Sequence, residues 1–275
     1  AAGAGLAAMY NAPLGGAAYA VELVMVSGMR RRGALVAVPV CLIATIVSWL
    51  HSHGRPTFEV ASPGLSSGTA LGLVLPVAAA LGVGARALWS WMLAHRVRTL
   101  RWLPAAIGAA GLVTGLVSLW VPAVVGNGRD AMEVALGTRV PEVPSDAAGA
   151  GVVLLLGVVV LKPVLTGLTL AAGATGGRLA PSLATGASAG TALAVVLHAY
   201  GVEASVPALA MAGAGAVLAT TQRAPVFGIV FTWELARAGA WTLVALLAVV
   251  LTATLLASPA WWPAAGSRLR ASRAR

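Results

Sequence analysis

The chain alternates long apolar runs with short polar ones. Apolar runs cover residues 1–26, 34–50, 67–94, 102–121, 149–172, 180–200, 204–221, 224–237 and 240–257. Several approach the ~20 residues that an α-helix needs to cross a bilayer at about 1.5 Å per residue. The run 67–94 is long enough to cross at a tilt, and Pro163 is expected to break the run 149–172. The later runs are short, abut one another and carry Gly or Pro at the joints. Such segments suit helices that enter a membrane and stop, presenting their ends to a solute. The pattern predicts an all-α, polytopic integral membrane protein with tilted and broken helices.

Composition narrows the classes further. Of 275 residues, 59% are hydrophobic and 9% charged, against about 25% charged in a typical soluble domain. Mean hydropathy is +0.90. Eight acids, eighteen bases and four histidines cannot cover a soluble surface, which excludes an ordinary cytosolic enzyme, a disordered chain and a secreted disulfide scaffold. The single Cys41 excludes an internal disulfide and a Cys-based zinc site.

The net charge of +10 suggests a nucleic-acid binder until its distribution is read. Lys162 is the only lysine, and the arginines gather between apolar runs: Arg30 to Arg32; Arg96, Arg98 and Arg101 beside His95; and Arg268, Arg270, Arg273 and Arg275. Residues 51–66 and 122–148 are mixed or acidic, with Asp130, Glu133, Glu142 and Asp146 outnumbering Arg129 and Arg139. By the positive-inside rule, 27–33, 95–101 and the tail lie in the cytoplasm. The charge then reads as topology in a bilayer, with no nucleic acid partner. The Ala, Gly and Arg bias fits a GC-rich genome. Residues 1–26 carry no basic stretch before their apolar core, so no cleavable signal is expected there. The chain begins at Ala1 and reads as an excerpt.

One segment recurs. Gly3, Ala4, Leu6, Ala7, Ala12, Pro13, Gly16, Glu22 and Leu23 return as Gly215, Ala216, Leu218, Ala219, Ala224, Pro225, Gly228, Glu234 and Leu235. All nine pairs share one gapless offset of 212 within a 21-residue window. Ala/Gly bias makes some matches cheap, but not Pro13/Pro225, Glu22/Glu234 and Leu23/Leu235 in one register. A protein of two related halves is expected, with most of the first half outside this chain and the substrate site where the halves meet.

The strongest local motif is Gly176-Gly177-Arg178-Leu179-Ala180-Pro181, ahead of the small-residue run Ser182 to Ala194. Glycines let backbone approach a ligand, and Pro in a first helical turn forfeits no hydrogen bond. Free N–H groups and the positive helix end then form an anion site. A plain loop-to-helix turn explains the same residues, and both readings stand at this point.

The run Lys162 to Gly190 resembles the filter region of the CLC family of chloride channels and proton/chloride exchangers. Asn11-Ala12-Pro13-Leu14-Gly15-Gly16, ending in Glu22, resembles that family's NAP-containing helix. Met211 to Glu234 is similar to its late alanine-proline helix, and Trp120 to Gly128 fits the loop between. The resemblance runs nearly end to end and covers about the second half of a CLC subunit plus the end of the first. It implies chloride transport, by channel-like permeation or chloride/proton antiport. The anion would be held by backbone at Gly177, Arg178, Leu179, Ala180 and Pro181. It implies a homodimer with one pathway per subunit, the faces of 34–50 and 224–257 being interface candidates, in a bacterial inner (plasma) membrane with the C-terminal tail cytoplasmic. Residues 1–26 would end the first half, 27–257 would form the second-half transmembrane domain, and 258–275 would be a basic tail. No cofactor beyond the transported ion, no metal and no enzymatic activity are expected. A chain holding only this part should not conduct alone.

Departures from the family pattern bear on mechanism. Arg178 replaces a usually apolar residue; it either attracts anions or points to water. The family's serine-bearing filter loop and Gly-Arg-Glu-Gly-Pro glutamate belong to the part not covered, and no tyrosine stands near Ala265 to Ser267. Exchangers often carry an acid directly after the counterpart of Glu22; here it is Leu23, which weakens the case for proton coupling. Glu22 and Glu234 are acids at membrane depth, read either as pathway groups or as structural ones that satisfy backbone N–H groups at a helix end. Lys162 is expected to snorkel to an interface.

Two other constellations compete. Gly186-Ala187-Ser188-Ala189-Gly190 matches G-x-S-x-G, and with His198 it would suit an intramembrane serine protease; a small-residue packing face explains the same residues and is the favoured reading, because the elbow needs a strand–turn–helix. His51 and His53 flank Ser52 without a close carboxylate, a weak metal site or a solvated loop. A truncated, non-conducting membrane protein is the remaining alternative.

Overall fold

The computed structural model describes residues 1–25, 30–52, 57–58, 68–126, 128–136, 148–237 and 239–257. Among them the protein is entirely helical. α1 (Ala2–Tyr10) leads to α2 (Pro13–Tyr19), which continues through a π-helical turn (Ala20–Val24). Then come α3 (Arg30–Ser52), α4 (Gly68–Ala94), α5 (Leu103–Ser118), α6 (Arg129–Ala135), α7 (Ala148–Ala171), α8 (Leu179–Ala199), α9 (Val206–Gln222), α10 (Pro225–Ala236) and α11 (Ala240–Leu256). Five stretches are long and apolar enough to cross a membrane, in α3, α4, α5, α7 and α8.

The apolar runs become helices at nearly the expected places, with three differences. The run 1–26 is two helices and a π turn, broken where Asn11 takes a left-handed φ of 52°. α6, inside the mixed segment 122–148, is an additional short helix, stapled on its surface by Arg129–Glu133 at 2.9 Å. And α7 runs unbroken through Pro163. A proline removes one N–H and crowds the preceding turn, which a membrane helix tolerates when its neighbours hold it. Here buried Trp89 of α4 donates its indole N–H to the Pro163 carbonyl at 2.8 Å. Residues 258–275, His53 and the side chain of His51 lie outside the described residues.

The core centres on α8 and α9, which are almost wholly buried. They cross at backbone contact. A Cβ on Gly186 would strike the Gly213 carbonyl, one on Gly190 the Leu209 carbonyl, and one on Gly213 the Gly186 carbonyl. Without a hydrophobic effect between helices in lipid, such close approach is what holds them. Ser188, between the two glycines, is fully buried, while His198 is exposed. They lie on one helix ten residues apart, about 15 Å along its axis, so no Ser188–His198 dyad forms. The small-residue packing face accounts for the motif. By contrast α3 and α5 present bare apolar side chains outward, Leu35 at 79% and Leu112 at 65% exposure.

The repeat is structural. Asn11 and Arg223, 212 apart, both adopt left-handed φ (52° and 57°) to end α1 and α9. Ala12 and Ala224 follow with φ of −129° and −136°, and Pro13 and Pro225 open α2 and α10. The hydrogen bonds Ala12 N to Ala7 O and Ala224 N to Ala219 O correspond, as do Gly16 N to Ala12 O and Gly228 N to Ala224 O.

The copies also engage each other reciprocally. The Glu234 carboxylate accepts from Leu14 N (3.0 Å) and Gly15 N (2.6 Å) at the start of α2. The Glu22 carboxylate accepts from Val226 N (3.4 Å) and Phe227 N (2.7 Å) at the start of α10. Leu14/Val226 and Gly15/Phe227 again differ by 212. Each copy therefore caps the other, as an approximate twofold axis between them requires. The rings obey it too: Tyr19 packs edge-on against Phe227 at 5.4 Å, and its equivalent Phe231 packs on Gly15.

Two outcomes follow for stability. Glu234→Ala leaves two α2 amides without an acceptor away from water, at about 2 kcal/mol, and should lower the detergent-solubilised melting temperature. Gly186→Val forces α8 off α9 and should cost about 3 kcal/mol, read by the same unfolding curve; a neutral result at either position contradicts the packing described.

Candidate functional site

α7 ends at Ala171, and the chain turns through Gly173 at φ +106° before α8 begins at Leu179 with Arg178 as N-cap. A Cβ at Gly173 would strike Leu103, so only glycine turns here without displacing α5. Gly176 and Gly177 are exposed, and Gly177 has no neighbour near its Cα.

The first backbone bond of α8 runs from Ser182 N to Arg178 O at 3.1 Å. Pro181 has no N–H. Leu179 and Ala180 are thus the helix amides ahead of the ladder, and no side chain caps them. Such amides and the positive end of the helix dipole attract an anion. They open on a cavity of about 450 Å³ lined by Gly177, Leu179, Ala180 and Pro181 on one side and by Gly126 and Tyr10 on others. Tyr10, with Leu6 and Met9, comes from the first repeat copy, so the N-terminal segment walls the cavity opposite the α8 start. Sequence reasoning missed Tyr10; its only signal was proximity to the NAP-like segment.

Arg178 stands apart from its neighbours. It does not line that cavity. It is half-buried, and its guanidinium lies 6.0 Å from the Trp89 ring centroid, on α4, a cation–π distance. The side chain turns neither into the cavity nor freely into solvent.

Lys162 is the least expected residue. It is 2% exposed and does not snorkel. Its ammonium donates to three successive carbonyls, Val124 at 2.7 Å, Val125 at 3.2 Å and Gly126 at 3.0 Å. Three donors meet three acceptors, which offsets the cost of burying the charge. Gly126, at φ +69°, lines the cavity, and Gly128 packs against Ala180 and Ala184 of α8. Lys162 thus clamps the wall facing the α8 start and leaves a fixed positive charge one carbonyl behind the cavity.

Glu22 and Glu234 do not line this cavity; their carboxylates occupy the α10 and α2 helix starts. Leu23 packs against the apolar core. Among the described residues no group of His, Cys, Asp and Glu is arranged to hold a metal.

Residues 1–258 match the family described as "Voltage gated chloride channel". The H(+)/Cl(-) exchange transporter ClcA of Cronobacter sakazakii (strain ATCC BAA-894) is 32% identical over 248 residues, covering 85% of this chain and 50% of that protein. The fold resembles a CLC-type fluoride/proton antiporter, with TM-score 0.73, 18% identity, and 94% and 62% of the two chains covered. It also resembles a slow cyanobacterial Cl−/H+ antiporter, with TM-score 0.71, 23% identity, and 99% and 64% covered. The chain spans about half the length of the curated relative it matches.

Replacing Lys162 with Met leaves three carbonyls without this donor, that of Val124 buried. It should cost about 3 kcal/mol and speed amide hydrogen exchange selectively in Ala123 to Gly126 and the first turn of α8. Uniform exchange, with that wall still protected, would contradict the clamp.

Proposed function

The chain belongs to the voltage-gated chloride channel family, and from that premise we propose that it is the part of a chloride transport protein that binds the anion through backbone amides. It is an integral membrane protein. The observation that carries the reading is the uncapped start of α8, whose Leu179 and Ala180 amides open on a cavity walled by α7, the Gly126 loop and the first repeat copy. We take Gly177 to Pro181 as the binding segment, with Gly177 giving access and Pro181 shaping the turn. Glu22 and Glu234 are assigned to helix capping, and Arg178, held at Trp89, contributes only a longer-range field.

Residues 1–26 are assigned to the end of one half and 27–257 to the other. The exposed apolar faces of α3 and α11, with Leu35, Ile43, Leu50, Leu251 and Leu255 outward, suit a homodimer interface. The basic 95–101 loop is assigned to the cytoplasm of a bacterial inner membrane. Apolar Leu23 favours permeation without proton movement, whereas the exchange activity named for the Cronobacter relative favours coupling.

Chloride efflux from liposomes carrying the full-length protein, with internal pH recorded, tests the reading. Chloride flux is expected; its absence overturns the proposal, and proton movement in step with it establishes exchange. Amide-to-ester replacement at Leu179 or Ala180 removes one N–H with little change in shape. It should weaken chloride binding about tenfold, read by calorimetric titration; unchanged affinity would place the anion elsewhere.

A further inference from the structure

A second feature lies outside the candidate anion site, where the end of α4, the start of α5 and the α7–α8 turn enclose a cleft of about 530 Å³. It is lined by Leu93, Arg96, Val97, Arg98, Leu103 and Gly173. We propose that this cleft binds the phosphate of an anionic membrane lipid, with Arg96 and Arg98 as its ligands.

The loop is held in place rather than free. Arg96 Nη2 donates to the Gly173 carbonyl at 2.8 Å, and Val97 N donates to the Ala171 carbonyl at 2.8 Å. One guanidinium is therefore pre-oriented at the cleft, with further N–H groups available from its fork. Among the described residues no carboxylate pairs with Arg96 or Arg98. Guanidinium forks match phosphate oxygens in a way that a single spherical ion does not use.

The surroundings select a lipid over a free ion. Leu93, Val97 and Leu103 give the cleft an apolar side. Trp91, Leu100 and Trp102 beside it are 62%, 82% and 58% exposed. Exposed Trp interleaved with Arg marks the headgroup zone of a bilayer, and basic pockets between membrane helices bind anionic headgroups. Arg101 belongs to the same loop but lies 5.6 Å over the Trp102 ring and does not line the cleft. It is the built-in control for charge alone. The proposal rests on the chain being a membrane protein and not on the transport reading.

The test is native mass spectrometry of the full-length protein released from nanodiscs of equal phosphatidylglycerol and phosphatidylcholine. Wild type should retain phosphatidylglycerol preferentially. R96Q/R98Q should lose that retention about tenfold, R101Q should keep it, and excess inorganic phosphate should not displace the lipid. Retention by R96Q/R98Q, or equal loss in R101Q, overturns the proposal. Displacement by phosphate overturns the lipid assignment in favour of a free-phosphate site. Should the double variant fail to fold, photoactivatable phosphatidylglycerol on wild type decides: labelling within Leu93 to Leu103 supports the cleft, and labelling only elsewhere overturns it.

Discussion

Two half-buried carboxylates at helix starts tie the two repeat copies of this fold together. A helix that begins inside a membrane leaves amide groups pointing at hydrocarbon, and each unpaired group there is expensive. α2 and α10 both begin with free amides, each opened by a proline that removes one donor and leaves the next two. Neither supplies its own cap. Glu234 and Glu22 are instead exchanged between the copies, so each short helix is stable only with the other in place. The exchange fixes their mutual geometry, stacks Tyr10 edge-on against Phe231, and so places Tyr10 at the cavity wall.

The same chemistry explains why the α8 start is different. It too begins with free amides near a proline. No side chain reaches it. Two helix starts are plugged by the protein's own acids, and the third is left open on a cavity. The three helix starts thus differ less in their local sequence than in what the distant chain delivers to them.

That difference decides how much was legible. The apolar runs give the helices nearly to the residue, because burial in lipid imposes length and composition directly. The register of 212 was readable because symmetric contacts need identical residues at Pro13/Pro225 and Glu22/Glu234. The partners were not readable. Nothing near Glu22 in sequence points to Phe227, and Lys162 carries no local sign that it will clamp Val124 to Gly126 rather than reach an interface. α6 went unread because it is short and its apolar residues are too few for a period to emerge. The unbroken α7 shows the reverse: Pro163 is a local signal for a break, yet the helix continues through it, as α3 and α4 continue through Pro39 and Pro76.

The placement of the cations completes the picture. Lys162 is spent on carbonyls, Arg178 rests at Trp89, and Arg96 is tied to Gly173. No charged side chain is among the residues that line the α8 cavity. A formal positive charge in direct contact would bind a dehydrated anion too firmly to release it, because the interaction grows as the local dielectric falls. Amide dipoles bind more weakly, and a cation set one carbonyl behind the wall lowers the energy of an anion without becoming its partner. A permeation site must admit its ion and let it leave. Under the proposed anion-binding reading, dipoles in front and charges behind satisfy both demands. That arrangement also tolerates Arg178: its guanidinium, held at Trp89, adds charge behind the wall and leaves the cavity lining neutral.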